Sequence, residues 1–321
     1  MKVAQYASRG NLQFVEVSDP IPARGQVLVQ MEIVAVCGSD VMQLYYSDDD
    51  EYPLPPGMSG HECVGTVVDP GASSFQKGAR VLVIPPDFNG WSPYLSIDPQ
   101  WLIPIPDSLS YEQGVLAQLL GCNIWALKKI GPVFDKNVAV VGQGPAGLFF
   151  TKLLSNMGAK RVIGLDLEDY RLGIARQMGA THTINATNND DYRVQVRDIT
   201  KGEMADLVIE VVGLPETVDM TINLGKAYAD LLIFGIPKVT PTPIDIYKSL
   251  RLQQRWIMTV GTQFEPNLSS FRLGMQMIAD GRVDVTPLIS HSMPFDQLAT
   301  ALKMAKHRED GTIKIMMEMQ R

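Results

Sequence analysis

The stretch "VVGQGPAG", residues 140–147, decides the fold of this 321-residue chain. It ends the apolar run "VAVV" of residues 138–141, opens the helical pattern "AGLFFTKLLSNMGA" and carries three glycines in a G-x-G-x-x-G spacing, Gly142, Gly144 and Gly147. The first glycine permits a tight turn, the second lets backbone approach a pyrophosphate, and the third allows close helix packing. The helix start at Pro145 and Ala146 then favours anionic phosphates. The stretch therefore predicts a dinucleotide-binding βαβ unit.

An acidic residue in the right place strengthens this interpretation. Asp166 closes the next apolar run, "RVIGLD", about 20 residues after the glycines, where a carboxylate can accept both hydroxyls of an adenosine ribose. The same carboxylate would repel a 2′-phosphate, which favours NAD over NADP, although the nearby Arg171 could instead meet a phosphate. The alternative is a glycine turn that packs a sheet and binds nothing.

The sequence on the two sides of this stretch shows two different patterns of predicted secondary structure. From residue 138 onward, strand-like and helical segments alternate, which predicts an α/β domain with a doubly wound, parallel sheet of six strands. Before about residue 118, short apolar runs alternate with turn residues and predict a β-rich unit, which the tail after residue 265 is expected to rejoin. We therefore assign residues 121–264 to the dinucleotide-binding domain, and residues 1–120 with 265–321 to the β-rich domain.

Composition excludes several functional classes. The net charge is −7 without a Lys/Arg cluster, so neither nucleic acid nor a membrane surface is an expected partner. We find neither a signal-peptide pattern at the N-terminus nor an apolar stretch of about 20 residues, and expect a cytoplasmic protein. The three cysteines are an odd number that gives no disulfide framework, which fits a reducing compartment.

Two short motifs in the β-rich domain suggest a metal site. Cys37 follows a strand-like run in "AVCGSD", and His61 lies 24 residues later in "SGHECVG". A thiolate and an imidazole are the donors that zinc prefers, although each residue alone is more often part of a core. A catalytic zinc needs about three protein ligands and an open position. Candidates for the third are Glu62, Gln118 and Cys122.

The motifs, in this order, resemble one family. "CGSD", "GHECVGTV", "VVGQGPAGL", Asp166 with Arg171, "ADLVIEVVG" and "SHSMPFDQLATAL" are similar to the medium-chain dehydrogenase/reductase superfamily, closest to its zinc-dependent alcohol, polyol and threonine dehydrogenases. The resemblance spans nearly the whole chain and is specific at the level of the superfamily. It implies a GroES-like fold for the β-rich catalytic domain and a Rossmann fold for the other.

The resemblance also implies roles for individual residues. Cys37 and His61 would bind one catalytic zinc, and Glu62 would sit beside it as a ligand or exchange with water. Ser39 would pass the alcohol proton towards solvent, and Asp40 would orient His61. The cofactor residues would be Gly142, Gly144, Pro145, Ala146, Gly147, Asp166 and Arg171.

The sequence departs from the family pattern in three places, which concern the catalytic zinc, proton transfer and a structural zinc. Gln118 stands where the family usually carries a third ligand, and an amide oxygen binds zinc poorly. Glu62 then completes the shell, or Cys122 replaces it, or the site binds metal weakly or has lost it, in that order of preference. Met42 stands where a histidine is frequent, so a proton relay beyond Ser39 would run through water or the cofactor ribose. "VIPPDFNGWSPYLSI" runs through the region that usually holds a four-cysteine lobe, so no structural zinc is expected.

These observations predict an NAD-dependent, zinc-assisted oxidoreductase that acts on a secondary alcohol or polyol, or on the corresponding ketone. One alternative is a metal-free quinone or enone reductase of the same superfamily, which Gln118 favours. The other is a nucleotide-binding regulator without turnover. A homodimer or homotetramer is the general expectation for such an enzyme. The substrate pocket could include aromatic residues whose burial the sequence does not fix, Tyr45, Tyr46, Phe88, Trp91 and Tyr94.

Overall fold

The computed structural model describes residues 1–187 and 192–319, which form two compact units. The first comprises Met1–Gly121 with Thr262–Arg321, and the second comprises Cys122–Gly261. The strands are β1 Lys2–Ser8, β2 Asn11–Glu16, β3 Val27–Ala35, β4 Glu62–Asp69, β5 Arg80–Val83, β6 Tyr94–Ile97, β7 Leu102–Pro104, β8 Asn137–Val141, β9 Arg161–Asp166, β10 His182–Asn185, β11 Ala205–Glu210, β12 Gly225–Ile233, β13 Arg255–Met258, β14 Ile289–Pro294 and β15 Lys314–Glu318. The α-helices are α1 Gly38–Tyr46, α2 Tyr111–Leu127, α3 Pro145–Asn156, α4 Asp169–Gln177, α5 Tyr192–Ile199, α6 Pro215–Leu224, α7 Ile246–Leu252, α8 Ser269–Ala279 and α9 Leu298–His307.

The first unit is built on a mainly antiparallel sheet of seven strands, in the order β14-β15-β3-β4-β5-β7, with β6 also paired to β3. The long strand β3 is central because it pairs with β15 on one side and β4 on the other. Its burial alternates along the strand: Val29, Met31 and Ile33 are buried, while Gln30 and Glu32 are half-buried. The two strands β1 and β2 form a separate hairpin. The predicted β-rich character of this unit is confirmed.

The second unit holds a parallel sheet of six strands in the order β10-β9-β8-β11-β12-β13. Every residue of β8 is buried, as expected for a central parallel strand covered on both faces. Counted from β8, the strand order is that of a Rossmann fold, which confirms the predicted fold class. The order reverses between β8 and β11, the switch point where such sheets bind ligands at the carboxyl ends of the strands.

Each unit has its own apolar core. In the first, Tyr6, Met31, Trp91 and Met317 are fully buried together, and in the second, side chains of the parallel strands pack against the covering helices. None of the helices in the described ranges combines the length and the apolar character that crossing a bilayer requires.

Candidate active site

Three strand ends of the first unit meet at one point. Ala35, the last residue of β3, lies opposite Glu62, the first residue of β4. On the other side of β3, the Val36 amide donates to the Ile315 carbonyl at 2.9 Å, so β15 begins beside the same point. Antiparallel pairing therefore places Cys37, Glu62 and Lys314 together, although they are far apart in the sequence.

The cluster at this point has the composition of a zinc site. One ligand atom each of Cys37, His61 and Glu62 lies within 4.8 Å of the other two. Cys37 and His61 are partly exposed, whereas Glu62 is fully buried. One sulfur, one nitrogen and one oxygen donor with an open side match the three protein ligands of a catalytic zinc, so the donor set fits the metal. The structure brings together the three predicted ligands.

Glu62 has a buried partner that the sequence analysis missed. The Lys314 ammonium is only 2% exposed and lies 2.8 Å from both carboxylate oxygens, and it also donates to the Val36 carbonyl at 3.1 Å. Burial raises the pKa of Glu62, and the ammonium counteracts that rise. Burial acts to lower the pKa of Lys314, but the negative charges of Glu62, Cys37 and Asp40 and the hydrogen bond to Glu62 together outweigh it, and the pKa is raised. This geometry is that of a charged lysine bound to a carboxylate.

Asp40 ties together the backbone next to both partly exposed ligands. Its fully buried carboxylate accepts hydrogen bonds from the Cys37 amide at 2.8 Å, from the Gly60 amide at 3.0 Å, and from the Ser59 hydroxyl. The resemblance assigns Asp40 to the orientation of His61. These hydrogen bonds come from the Cys37 backbone and from Ser59 and Gly60, which directly precede His61, so Asp40 fixes the two ligand loops relative to each other.

Ser39 lies in the first turn of α1, two residues after Cys37. Its hydroxyl oxygen is buried and has no hydrogen-bond partner in the described ranges. A buried hydroxyl usually has a partner, and those without one call for an explanation. The unused hydroxyl is compatible with the predicted role of Ser39 in proton transfer.

The aromatic residues near the site separate into core and surface. Phe88 lies edge-on to His61, with ring centroids 5.6 Å apart, and is 36% exposed. Trp91 is fully buried and belongs to the core. Tyr45 and Tyr46 lie at the end of α1, and the Lys306 ammonium is 4.1 Å from the Tyr45 ring centroid. Phe88 is therefore the predicted pocket aromatic that the structure places beside a candidate ligand.

The two other candidates for the third ligand lie on one helix. Gln118 is a buried residue of α2, 6% exposed. Cys122 follows on the same helix as the first residue of the second unit. The metal-ligand group of the described residues consists of Cys37, His61 and Glu62.

The glycine turn of the second unit leaves no room for side chains at two positions. Gly142, with φ of +98°, follows β8, and a Cβ there would lie 2.6 Å from the Val212 side chain. A Cβ at Gly147 would lie 1.9 Å from the Gly142 carbonyl oxygen, so helix α3 starts directly against the turn. Gly144 precedes Pro145 as the N-cap of α3, and the Ala146 carbonyl is fixed by the Asn123 amide at 2.8 Å.

Asp166 holds this turn in place from the end of β9. One carboxylate oxygen accepts from the Gln143 amide at 2.6 Å, and the other accepts from the amides of Leu167 at 2.8 Å and Glu168 at 3.1 Å. These bonds leave about one of the roughly four acceptor sites of a carboxylate for a ligand. The Arg171 guanidinium lies about 3.6 Å from the Cβ position of Gly144, beside the same turn.

Glu210 supports the other side of the switch point and was not predicted. This fully buried residue ends β11 and accepts from the amides of Val212 at 2.7 Å and Gly213 at 2.8 Å and from the Thr217 hydroxyl at 2.7 Å. The loop that it holds packs its valines against Gly142. Only its position at the end of the run "ADLVIE" could have suggested this role.

Comparison with known proteins identifies the family of the chain. Residues 23–120 match the family model of the alcohol dehydrogenase GroES-like domain, and residues 145–279 match that of the zinc-binding dehydrogenases. Together the two matches cover more than half of the chain. The chain belongs to the medium-chain dehydrogenase/reductase superfamily.

Individual members of the superfamily match almost the entire chain. Sorbitol dehydrogenase of Gallus gallus is 25% identical over 341 residues, covering 96% of this chain and 94% of that protein. Alcohol dehydrogenase of Cupriavidus necator is 27% identical over 368 residues, covering 98% of each. The crystal structure of 2R,3R-butanediol dehydrogenase from Bacillus subtilis superimposes with a TM-score of 0.84 at 22% identity, covering 99% of both chains. The predicted zinc-dependent alcohol and polyol dehydrogenase branch of the superfamily is confirmed.

Proposed function

We propose that this dehydrogenase transfers a hydride between NAD(H) and a secondary alcohol or polyol, with the assistance of one bound zinc ion. The observation that carries the proposal is the cluster of Cys37, His61 and Glu62 at the meeting point of three strands. A thiolate, an imidazole and a carboxylate with an open side suit a catalytic zinc better than a core. The residues expected to take part directly are Cys37, Ser39, His61 and Glu62, with Asp40 as their support.

The zinc would act as a Lewis acid on the substrate oxygen. Cys37 and His61 would hold it, with Glu62 as the third protein donor. Asp40 keeps the two ligand loops in place before metal or substrate arrives, so that little reorganisation is needed. We expect no structural zinc, because the chain has three cysteines in all.

In the oxidation, the alcohol O–H and carbinol C–H bonds break and a C=O bond forms. The proton passes to the Ser39 hydroxyl, which releases its own proton towards solvent. The Gly142–Gly147 turn would hold NAD, whose nicotinamide ring would accept the carbinol hydrogen as a hydride, that is, with both electrons of the C–H bond. Ketone reduction is the same sequence in reverse.

For the cofactor we propose NAD, bound at the Gly142–Gly147 turn and the start of α3. Backbone amides at the helix start favour the pyrophosphate, and Pro145 at the first helical position removes an amide that has no partner within the helix. The remaining acceptor site of Asp166 would take a ribose hydroxyl. The dehydrogenase should therefore have a kcat/KM for NAD at least ~10-fold above that for NADP, a free-energy difference of about 1.4 kcal/mol. If NADP is preferred and Arg171→Ala abolishes that preference, Arg171 binds a 2′-phosphate and NADP is the cofactor.

The proposed reaction is tested by following NADH absorbance with secondary alcohols and polyols. The parent protein should oxidise at least one of them, and Cys37→Ala should lose this activity. Cys122→Ala is the matched control, since it also removes a partly buried thiol. If no alcohol or ketone is turned over by the zinc-loaded parent, the proposed function is wrong.

Gln118 favours a second candidate, a metal-free reductase of quinones or enones. It occupies a position at which the family usually carries a zinc ligand. This alternative predicts that Cys37→Ala leaves NADH- or NADPH-dependent reduction of such substrates unchanged. Loss of activity in that variant excludes it.

We further propose a homodimer in the cytoplasm, with a dimer-of-dimers tetramer as the larger form. Strand β13 is at one end of the parallel sheet, and α7, which precedes it, exposes Ile246, Tyr247 and Leu250 by 67–69%. An edge strand with apolar neighbours can pair with the same edge of a second copy about a two-fold axis. Light scattering should give twice the chain mass, and Leu250→Asp should give the monomer.

We also propose that catalysis and dinucleotide binding belong to different domains, with the predicted boundaries. Residues 1–120 and 265–321 would form the catalytic domain with the metal site. Residues 121–264 would form the domain that binds the dinucleotide.

A further inference from the structure

The ion pair of Lys314 and Glu62 is the most deeply buried charged pair among the described residues. Their side chains are 2% and 0% exposed. The ammonium has three protons and three acceptors: both oxygens of Glu62 and the Val36 carbonyl. Its hydrogen-bonding capacity is therefore fully used, which fixes its position.

A buried ion pair contributes little net free energy to the stability of a fold. Removing two charges from water costs several kcal/mol for each ion, and an apolar pair of similar volume is often as stable. A position on a strand such as β15 would normally carry an apolar residue if it faced the core. The presence of a buried lysine here calls for a role beyond packing.

The location of the pair suggests that role. Glu62 belongs to the cluster of candidate ligands with Cys37 and His61, and Val36 directly precedes Cys37. Lys314 thus contacts the third donor and the backbone next to the first. A carboxylate with an ammonium on both oxygens is a weaker metal donor than a free carboxylate, since the positive charge beside it offsets part of its attraction for a cation.

We propose that Lys314 is a positioning residue that keeps Glu62 an exchangeable ligand of the metal instead of a permanent one. Cys37 and His61 are then the firm ligands, and Glu62 yields its position to water or to the substrate oxygen. The inference rests on the proposed function, because it requires that the cluster binds zinc. Lys314 lies 252 positions away from Glu62 in the sequence and outside both metal-ligand motifs, and the proposal gives it a function at the metal site.

The test compares four variants for zinc affinity, measured by competition with a chromophoric chelator, and for kcat. In Lys314→Met, Glu62 is freed to bind the metal, so zinc affinity should rise and kcat should fall, each at least ~10-fold, the scale of effects from groups around metal ligands. Lys314→Arg keeps the charge and should stay within about threefold of the parent in both. In the double variant Lys314→Met with Glu62→Gln, zinc affinity should be no higher than in Glu62→Gln alone, because the gain acts through the carboxylate.

The visible spectrum of the cobalt-substituted protein gives a readout that does not depend on turnover. Lys314→Met should change the d–d bands of Co²⁺, since one more protein oxygen binds the ion, and Lys314→Arg should not. Lys303→Met serves as the control, because it removes an exposed lysine of the same unit. If Lys314→Met does not fold, Lys314→Gln, which retains donors but no charge, takes its place in every comparison.

Two results overturn the proposal while leaving the function intact. If the parent binds one zinc and Lys314→Met weakens it as much as Glu62→Gln does, Lys314 supports a permanent Glu62 ligand. If the gain in affinity persists in the double variant, the lysine acts only by repelling the metal. A parent protein that binds no zinc overturns the proposed function and this inference together.

Discussion

Replacement of Gly147 by alanine tests the nucleotide site most sharply, because the structure leaves no room for one added carbon. The Cβ would lie 1.9 Å from the Gly142 carbonyl oxygen, 2.8 Å from its carbon and 3.3 Å from the Val211 side chain. Real Cβ contacts essentially never fall below 3.0 Å, so α3 and the turn must separate by about 1 Å. The first turn of α3 would then no longer meet a phosphate at the distance that its amides require.

A misplacement of about 1 Å can lower the rate of an enzyme reaction about 100-fold, and we take the same factor for the hydrogen bonds from the α3 amides to a phosphate. We therefore expect the dissociation constant of NADH, measured by fluorescence titration, to rise about 100-fold, or about 2.7 kcal/mol. Overpacking should also lower the free energy of unfolding by about 1–3 kcal/mol, which the better helix propensity of alanine, at most about 1 kcal/mol, offsets in part.

Gly173→Ala is the matched control, since Gly173 also lies in a helix of the second unit and nothing approaches its Cβ position within 4 Å. It should leave NADH affinity unchanged and raise the thermal midpoint slightly. If Gly147→Ala binds NADH within threefold of the control, the glycine turn is not the pyrophosphate site, and the reasoning from the close contact fails.

Three further substitutions test the supporting groups. Asp40→Asn places an amide nitrogen against backbone donors, so the free energy of chemical unfolding should fall by about 1–3 kcal/mol and zinc binding should weaken. An unchanged unfolding midpoint would contradict the role of Asp40 in holding the two ligand loops together. Ser39→Ala breaks no hydrogen bond in the described structure, so stability and zinc content should hold while kcat falls about 100-fold; a rate within twofold of the parent would remove Ser39 from the proton path. Glu210→Ala leaves the amides of Val212 and Gly213 without an acceptor, whereas the Thr217 hydroxyl can still donate to the Leu214 carbonyl at 2.8 Å, so the free energy of unfolding should fall by at least ~2 kcal/mol. A loss below about 1 kcal/mol would show that the loop after β11 does not depend on Glu210.

Local patterns were sufficient to predict the parallel domain. Each of its signals lies within a short stretch of sequence: the glycine spacing, Asp166, and the alternation of strands with helices. The structure has the predicted six-stranded sheet. The metal-ligand motifs are equally local: Cys37 follows one strand and His61 precedes another. The antiparallel pairing of β3 with β4, which the local motifs do not specify, then brings Cys37 and His61 together.

The sequence could not reveal the groups that act across long separations. Lys314 stands in the alternating run "TIKIMMEM", where a lysine is typical of a solvent-facing position, yet it is buried because Glu62 provides a counter-charge 252 positions away. Phe88 and Trp91 are three residues apart and chemically similar, but one lies beside His61 and the other in the core. Such differences depend on how loops pack onto the sheet, which no local pattern specifies.

The zinc content per chain tests the central claim most directly. The protein should be purified without chelator from zinc-supplemented cells and measured by elemental mass spectrometry, together with Cys37→Ala and Cys122→Ala. We predict about one zinc per chain in the parent and in Cys122→Ala, and none in Cys37→Ala. A parent protein with near-zero zinc would contradict the account and make the metal-free reductase the leading explanation.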